Sequence, residues 1–182
     1  RAVARLAAGH TVLDCFTHTG SFALNAASGG AARVTAADIS ADAIAMAQRN
    51  AERNGLTNMD FLCEDTFELL PRLEKEGHPY DFIILDPPAF AKHHKVLGNA
   101  MQGYKRLNAR ALAQIKSGGL LFTFSCSQAV SKELFRTTVF SAAAIAGRKV
   151  RILHQLTQPA DHPINIYHPE GEYLKGLVLY VE

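Results

Sequence analysis

The chain has 182 residues, with 19 Lys and Arg against 17 Asp and Glu, and is 48% hydrophobic, the composition of a globular domain and not of a disordered one. A chain of this length buries about 70% of its unfolded surface in one core, so it folds as a single domain without a disulfide, metal or partner. No apolar stretch reaches the roughly 20 residues that cross a bilayer and no signal-like segment opens the chain, which excludes a membrane-spanning or secreted reading, while a net charge of +2 is too small to announce a nucleic-acid binder.

In chain order, strand-like and helix-like patterns alternate, which predicts βα units and a mostly parallel sheet covered on both faces. Thr11 to Cys15 reads as a buried strand, and the Gly20-Ser21 step opens an Ala-rich helix that Gly29-Gly30 stops. Arg33 to Asp38 is the next strand. Ser40 caps a helix with Ile44, Ala47 and Ala51 at helical spacing, closed by Asn54-Gly55. Asp60 to Cys63 is strand-like. Thr66 to Lys75 has Phe67, Leu70 and Leu73 on one helical face, with Pro71 expected to shorten or kink it. Tyr80 to Leu85 is a buried strand, followed by a basic, turn-prone stretch from Ala89 to about Asn99 and a helix through Gln114. Gly118-Gly119 leads into the strand Leu120 to Phe124, and Ser131 begins another helix. Lys149 to Leu156 and Leu174 to Val181 close the chain as two strands joined by the segment Pro159 to Pro169, which predicts an antiparallel hairpin edge on an otherwise parallel sheet.

Cys15, Cys63 and Cys126 cannot all pair within one chain and form no Cys-x-x-Cys, so they read as cytosolic thiols. The start at Arg1 rather than Met reads as a domain excised from a longer protein.

Ligands of open α/β sheets sit beyond the carboxyl ends of the strands, so the loops there carry the chemistry. The first, Asp14-Cys15-Phe16-Thr17-His18-Thr19-Gly20-Ser21, lacks the three glycines that admit a pyrophosphate, which disfavours a dinucleotide or P-loop nucleotide. It offers a carboxylate, a flexible Gly20 and a helix start, suited to a ligand bearing an ammonium and a carboxylate. Asp38 ends the second strand, where a carboxylate accepts both hydroxyls of a ribose, and Asp65 follows the third, in reach of an adenine amine. Each alone is more often a helix cap or turn former; three at equivalent strand ends, with a fourth at Asp86, shift the balance.

Val12-Leu13-Asp14-x-Phe16, Asp38-Ile39-Ser40, Asp81-Phe82-Ile83-Ile84-Leu85-Asp86-Pro87-Pro88-Ala89-Phe90 and Ser125-Cys126-Ser127 together resemble class I S-adenosylmethionine (SAM) methyltransferases with a Rossmann-like, seven-stranded fold. More narrowly they are similar to the bacterial large-subunit ribosomal RNA methyltransferases that make 5-methylcytosine. The resemblance extends to the closing Asp161-His162-Pro163 and Glu172-Tyr173-Leu174-Lys175. It implies that SAM is the cofactor, held by Asp14, Phe16, Thr17, His18, Thr19 and Gly20 at its methionine end, by Asp38 and Ile39 at the ribose, and by Asp65 and Thr66 at the adenine, with Asp86 beside it.

Carbon 5 of cytosine does not attack a sulfonium unaided, so such an enzyme needs a thiolate that adds to carbon 6 and an acid near ring nitrogen 3. Cys126, directly after a strand, is the candidate nucleophile and Asp86, aimed by two prolines, its partner. Cys15 and Cys63 fit better as buried packing. Pro87, Pro88 and Phe90 are the candidate base contacts, Phe90 by stacking. Lys92, His93, His94 and Lys95, followed by Lys105, Arg106 and Arg110, would meet an RNA backbone, although a solvated surface explains them equally well. The histidines have no metal-ligand spacing, so no metal is expected. The resemblance implies ribosomal RNA as partner, no membrane, a cytoplasmic setting and an oligomeric state left open, a homodimer among the options. The resemblance further implies an N-terminal PUA-like RNA-binding domain, which these 182 residues are not expected to include. Two rival readings stand: a guanine or small-molecule N-methyltransferase without covalent catalysis, because Asp-Pro-Pro-x-Phe recurs there, and a noncatalytic SAM- or RNA-binding module.

Overall fold

A computed structural model describes residues 2–77, 80–90 and 97–182. Seven strands, β1 (Thr11–Asp14), β2 (Arg33–Asp38), β3 (Met59–Cys63), β4 (Tyr80–Leu85), β5 (Ile115–Ser125), β6 (Val150–Leu156) and β7 (Lys175–Val181), form one sheet in the order β3-β2-β1-β4-β5-β7-β6. The pairs among β1 to β5 are parallel. The order reverses between β1 and β4, which opens a crevice at their carboxyl ends.

Apolar alternation builds the two layers. In β4, Phe82 and Ile84 join one core with Val12, Phe122 and Val178, while Ile83 and Leu85 join the other with Leu13, Leu121 and Leu179. Helices α1 (Ala2–Leu6), α2 (Ser21–Ser28) and α3 (Ala41–Arg53) cover the first face; α4 (Thr66–Glu76), α5 (Leu97–Gln114) and α6 (Lys132–Ile145) cover the second. The caps expected from sequence form: the Ser40 hydroxyl accepts from the Ala43 amide and the Ser131 hydroxyl from that of Leu134.

Four features differ from the sequence expectations. Helix α1, too short to show a period, was not expected. Helix α4 runs unbroken through Pro71: an interior proline costs about 3 kcal/mol, but Leu69, Leu70 and Leu73 are buried and return about 1.5–3 kcal/mol each. Strand β5 begins five residues earlier than Leu120, at Ile115, and its register against β4 shifts near Gly118, whose φ of 86° suits only glycine well. The closing pair is antiparallel as expected, but β7 lies between β5 and β6 and alone runs against the other strands. The continuous apolar run of β7 takes the buried position, and β6, with Arg151 and His154 exposed, becomes the edge. Among the described residues, no helix is long and apolar enough to cross a membrane.

Candidate active site

The loop after β1 is built on a buried carboxyl. Asp14 has no solvent exposure, and its Oδ2 accepts the Ala23 amide at 3.1 Å while Oδ1 has no hydrogen-bond partner. Burial pushes its pKa up to about 7, opposed by the Ala23 amide and reinforced by the charge of Asp86. Gly20, at φ 94°, turns the chain into α2, and its amide donates to the Thr17 carbonyl at 2.7 Å. His18 also takes a left-handed φ, 49°, which is costly for a residue with a Cβ.

Asp38 holds that conformation. One carboxylate oxygen accepts the His18 amide and the other the Ser40 amide, both at 2.9 Å, so the end of β2 ties down the neighbouring loop. Each oxygen keeps a second lone pair. Ile39, 70% exposed, presents an apolar face beside it. Asp65 caps α4 by accepting the Phe67 amide at 2.8 Å, and the Thr66 hydroxyl donates to the Cys15 carbonyl across to the β1 loop.

On the other side of the switch point, Asp86 follows β4 and Cys126 follows β5. Burial raises the pKa of Asp86 from its ordinary value. Cys126 is half-buried, and its thiol points at the Pro87 carbonyl, 3.9 Å away. Burial and then the Asp86 charge push this thiol up, while its own backbone amide and Lys175 pull it down. The flanking hydroxyls hold the loop: Ser125 Oγ and Ser127 Oγ each lie 3.0 Å from the buried Tyr104 hydroxyl of α5. Lys175 donates to the carbonyls of Ser127 and Val130. Phe90 packs on Tyr104, ring centroids 4.6 Å apart, with Phe67 next to it and Arg106 over Phe67.

These strand ends enclose a cavity of about 840 Å³, the size of a small-molecule site. Phe16, His18, Asp38, Ile39, Asp65 and Thr66 line one side; Asp86, Pro87, Pro88, Phe90 and Cys126 line the other. Asp14, Thr17, Thr19 and Gly20 do not reach the wall; Asp14 and Thr17 are buried beneath it because the loop folds over them. Lys92, with His93, His94 and Lys95, lies outside the described residues. Arg110 is paired with Glu74 and Arg106 stacks on Phe67, so two of the expected backbone contacts are engaged within the fold. Of the two cysteines expected to be buried packing, Cys15 is fully buried, but Cys63 is exposed, because β3 is the outer strand of the sheet.

Sequence reasoning missed the third side of the cavity. Phe67 of α4 and, from the connection between β6 and β7, Gln158, Pro159, Asp161, His162, Tyr173 and Leu174 also line it. Gln158 ties this connection to itself through the Gly171 carbonyl at 2.7 Å, and the Tyr173 hydroxyl lies 3.3 Å from His162 Nε2. Its length was the available signal, since long irregular connections inside compact domains are usually functional.

A doubly wound sheet with this strand order, acidic groups on successive strand ends and a small-molecule cavity at the switch point defines a class I methyltransferase. Residues 1–164 match the model of the S-adenosylmethionine-dependent methyltransferase family, and the chain belongs to that family. It is 44% identical over 181 residues to the ribosomal RNA large subunit methyltransferase I of Aeromonas salmonicida, a match covering 98% of this chain and 46% of that protein. The chain spans about half the length of the curated relatives it matches. Among solved structures, a SAM-dependent methyltransferase from Streptococcus mutans superposes with a TM-score of 0.85 at 25% identity, over 97% of this chain and 46% of that one. A methyltransferase structure solved as a complex with SAH also superposes with a TM-score of 0.85, at 26% identity over the same shares. SAM is therefore the cofactor.

Proposed function

We propose that this chain is the catalytic domain of a cytoplasmic RNA methyltransferase that transfers a methyl group to carbon 5 of a cytosine in large-subunit ribosomal RNA. The relatives, large-subunit ribosomal RNA methyltransferases, support the substrate class, and the observation that carries the chemistry is the presence of both Cys126 and Asp86 in the lining of the cavity.

The residues present fit the cofactor. The lone pairs left on both Asp38 oxygens suit a ribose diol, Ile39 and Phe67 suit a flat apolar ring, and Asp65 and Thr66 suit the adenine edge. The loop from Asp14 to Gly20, with partnerless polar atoms on Asp14 and Thr17 under it, suits the methionine end. Bound there, SAM supplies an electrophilic methyl group.

Cys126 as thiolate adds to carbon 6, forming a carbon–sulfur bond and moving the electron pair of the 5,6 double bond to make carbon 5 nucleophilic. Asp86, whose pKa burial raises, is placed to share a proton with ring nitrogen 3 as the thiolate adds and so stabilise the charge that develops there. Carbon 5 then takes the methyl group, the methyl–sulfur bond breaking to leave the cofactor as a neutral thioether; a base accepts the carbon 5 proton, the 5,6 double bond re-forms and the carbon–sulfur bond to Cys126 breaks to release the thiolate.

Nucleoside mass spectrometry of RNA treated with the protein and SAM carrying a labelled methyl group tests the substrate: label in 5-methylcytidine is expected, and label in a methylated guanosine would overturn the assignment. Cys126→Ala is expected to lower transfer by at least about a thousandfold. RNA containing 5-fluorocytidine, which has no carbon 5 proton to lose, is expected to form a stable covalent complex with the unsubstituted chain and none with the variant.

A further inference from the structure

Lys175 is the first residue of β7 and sits opposite Ser125 in the β5·β7 ladder, one position from Cys126. It is only 6% exposed. A lysine this deep normally meets a carboxylate, because an isolated buried ammonium is costly. Lys175 meets none: among the described residues its partners are two neutral carbonyls, Ser127 at 2.6 Å and Val130 at 2.7 Å. Those two bonds use two of its three donors and tie both to the turn that carries Cys126. A buried cation without a counter-ion, held against one loop, stabilises whatever anion that loop can form.

The charged groups around it narrow the choice. Lys132, at the start of α6, is occupied by Glu172, so this neighbouring acid is spent on another cation. Asp86 faces Cys126 from β4 and opposes its ionisation. His162 and Tyr173 contact each other on the far connection. The only group of the β5 turn that can become an anion is the Cys126 thiol. Burial lowers the pKa of Lys175, and the Lys132 charge adds to that; the Cys126 thiolate opposes the fall, just as Lys175 opposes the rise that burial and Asp86 impose on the thiol.

We infer that Lys175 is the positioning residue of the Cys126 nucleophile, holding the Ser125-Cys126-Ser127 turn through two carbonyls and serving as resident counter-cation to the thiolate. The inference rests on the reading of Cys126 as nucleophile, but its test does not pass through methyl transfer.

The rate of Cys126 alkylation by iodoacetamide is followed against pH in a Cys63→Ser background, with Cys15 fully buried. Lys175→Met is expected to raise the midpoint by at least about one pH unit and to slow alkylation at pH 7.5 about tenfold, while Lys175→Arg restores most of both. An unchanged midpoint in a folded Lys175→Met chain overturns the inference. Should that variant not fold, the reciprocal measurement decides: the pH titration of the Lys175 ε-carbon by NMR is compared with and without Cys126→Ala. Loss of the thiolate is expected to lower the lysine midpoint, and coincident titrations overturn the inference. Failure of the cytosine reading appears elsewhere, as unchanged methyl transfer by Cys126→Ala, and leaves these midpoints unaffected.

Discussion

The carboxyl of Asp14 has one oxygen on the Ala23 amide and the other on nothing, in a site without water access. Its folded-state pKa of about 7 stands above the ordinary 3.8 of the unfolded chain. Below 3.8 both states are protonated and the neutral burial is fully stabilising. Between the two values the unfolded chain releases a proton that the folded protein keeps, so stability falls as pH rises, and the loss is complete past about 7. The rise corresponds to about 4 kcal/mol. Urea unfolding of the parent chain and Asp14→Asn from pH 4 to pH 8 is therefore expected to reveal a stability difference that shifts in favour of Asn as pH increases. Parallel profiles would refute the raised pKa. At this scale much was legible: Asp38, Asp65, Asp86 and Cys126 all end strands or follow them, and all four line the cavity. Burial depth was not legible, which is why Asp14 and Thr17 were expected on a wall that they underlie. Nor was the debt of Lys175 visible, since its partners are backbone carbonyls nearly fifty residues away in the chain.

Helix α4 illustrates the competition between local and tertiary terms. Pro71 removes one backbone bond, to the carbonyl of Phe67, yet three buried leucines keep the helix whole. Pro71→Ala restores the missing donor and is expected to stabilise the chain by about 1–2 kcal/mol, after the added freedom of the unfolded chain offsets part of the gain. The midpoint of urea unfolding reads this directly; a lower midpoint would mean that the proline ring contributes more by packing than the absent bond costs. Helix α5 shows the reverse relation, in which an element recognised from sequence carries a role that was not. Its buried Tyr104 bridges Ser125 and Ser127 while supporting Phe90, so one side chain braces both halves of the proposed catalytic wall. In the β6–β7 connection the resemblance picked out Asp161-His162-Pro163 and Glu172-Tyr173-Leu174-Lys175 but no role for them, because irregular chain has no period to interpret.

For the molecule as a whole, a net charge of +2 limits the phosphates it can neutralise, and Arg106 and Arg110 are engaged internally. The 182-residue chain is expected to bind RNA weakly, with a slope of log affinity against log salt shallower than about −3. Filter binding across a salt series checks this, and a slope near −6 would reveal a phosphate track beyond these residues. The alternation of β and α patterns, the capping residues Ser40 and Ser131, and the strand-end acids were determined by sequence alone, because helix period, strand period and cap chemistry act over a few neighbouring residues. Only the tertiary structure decided that β7 slips between β5 and β6, that the 157–174 connection closes the cavity, and that a lysine from the last strand serves the turn after β5. Those outcomes depend on which apolar surfaces find each other across the chain and on how much water they exclude, quantities that no local window contains.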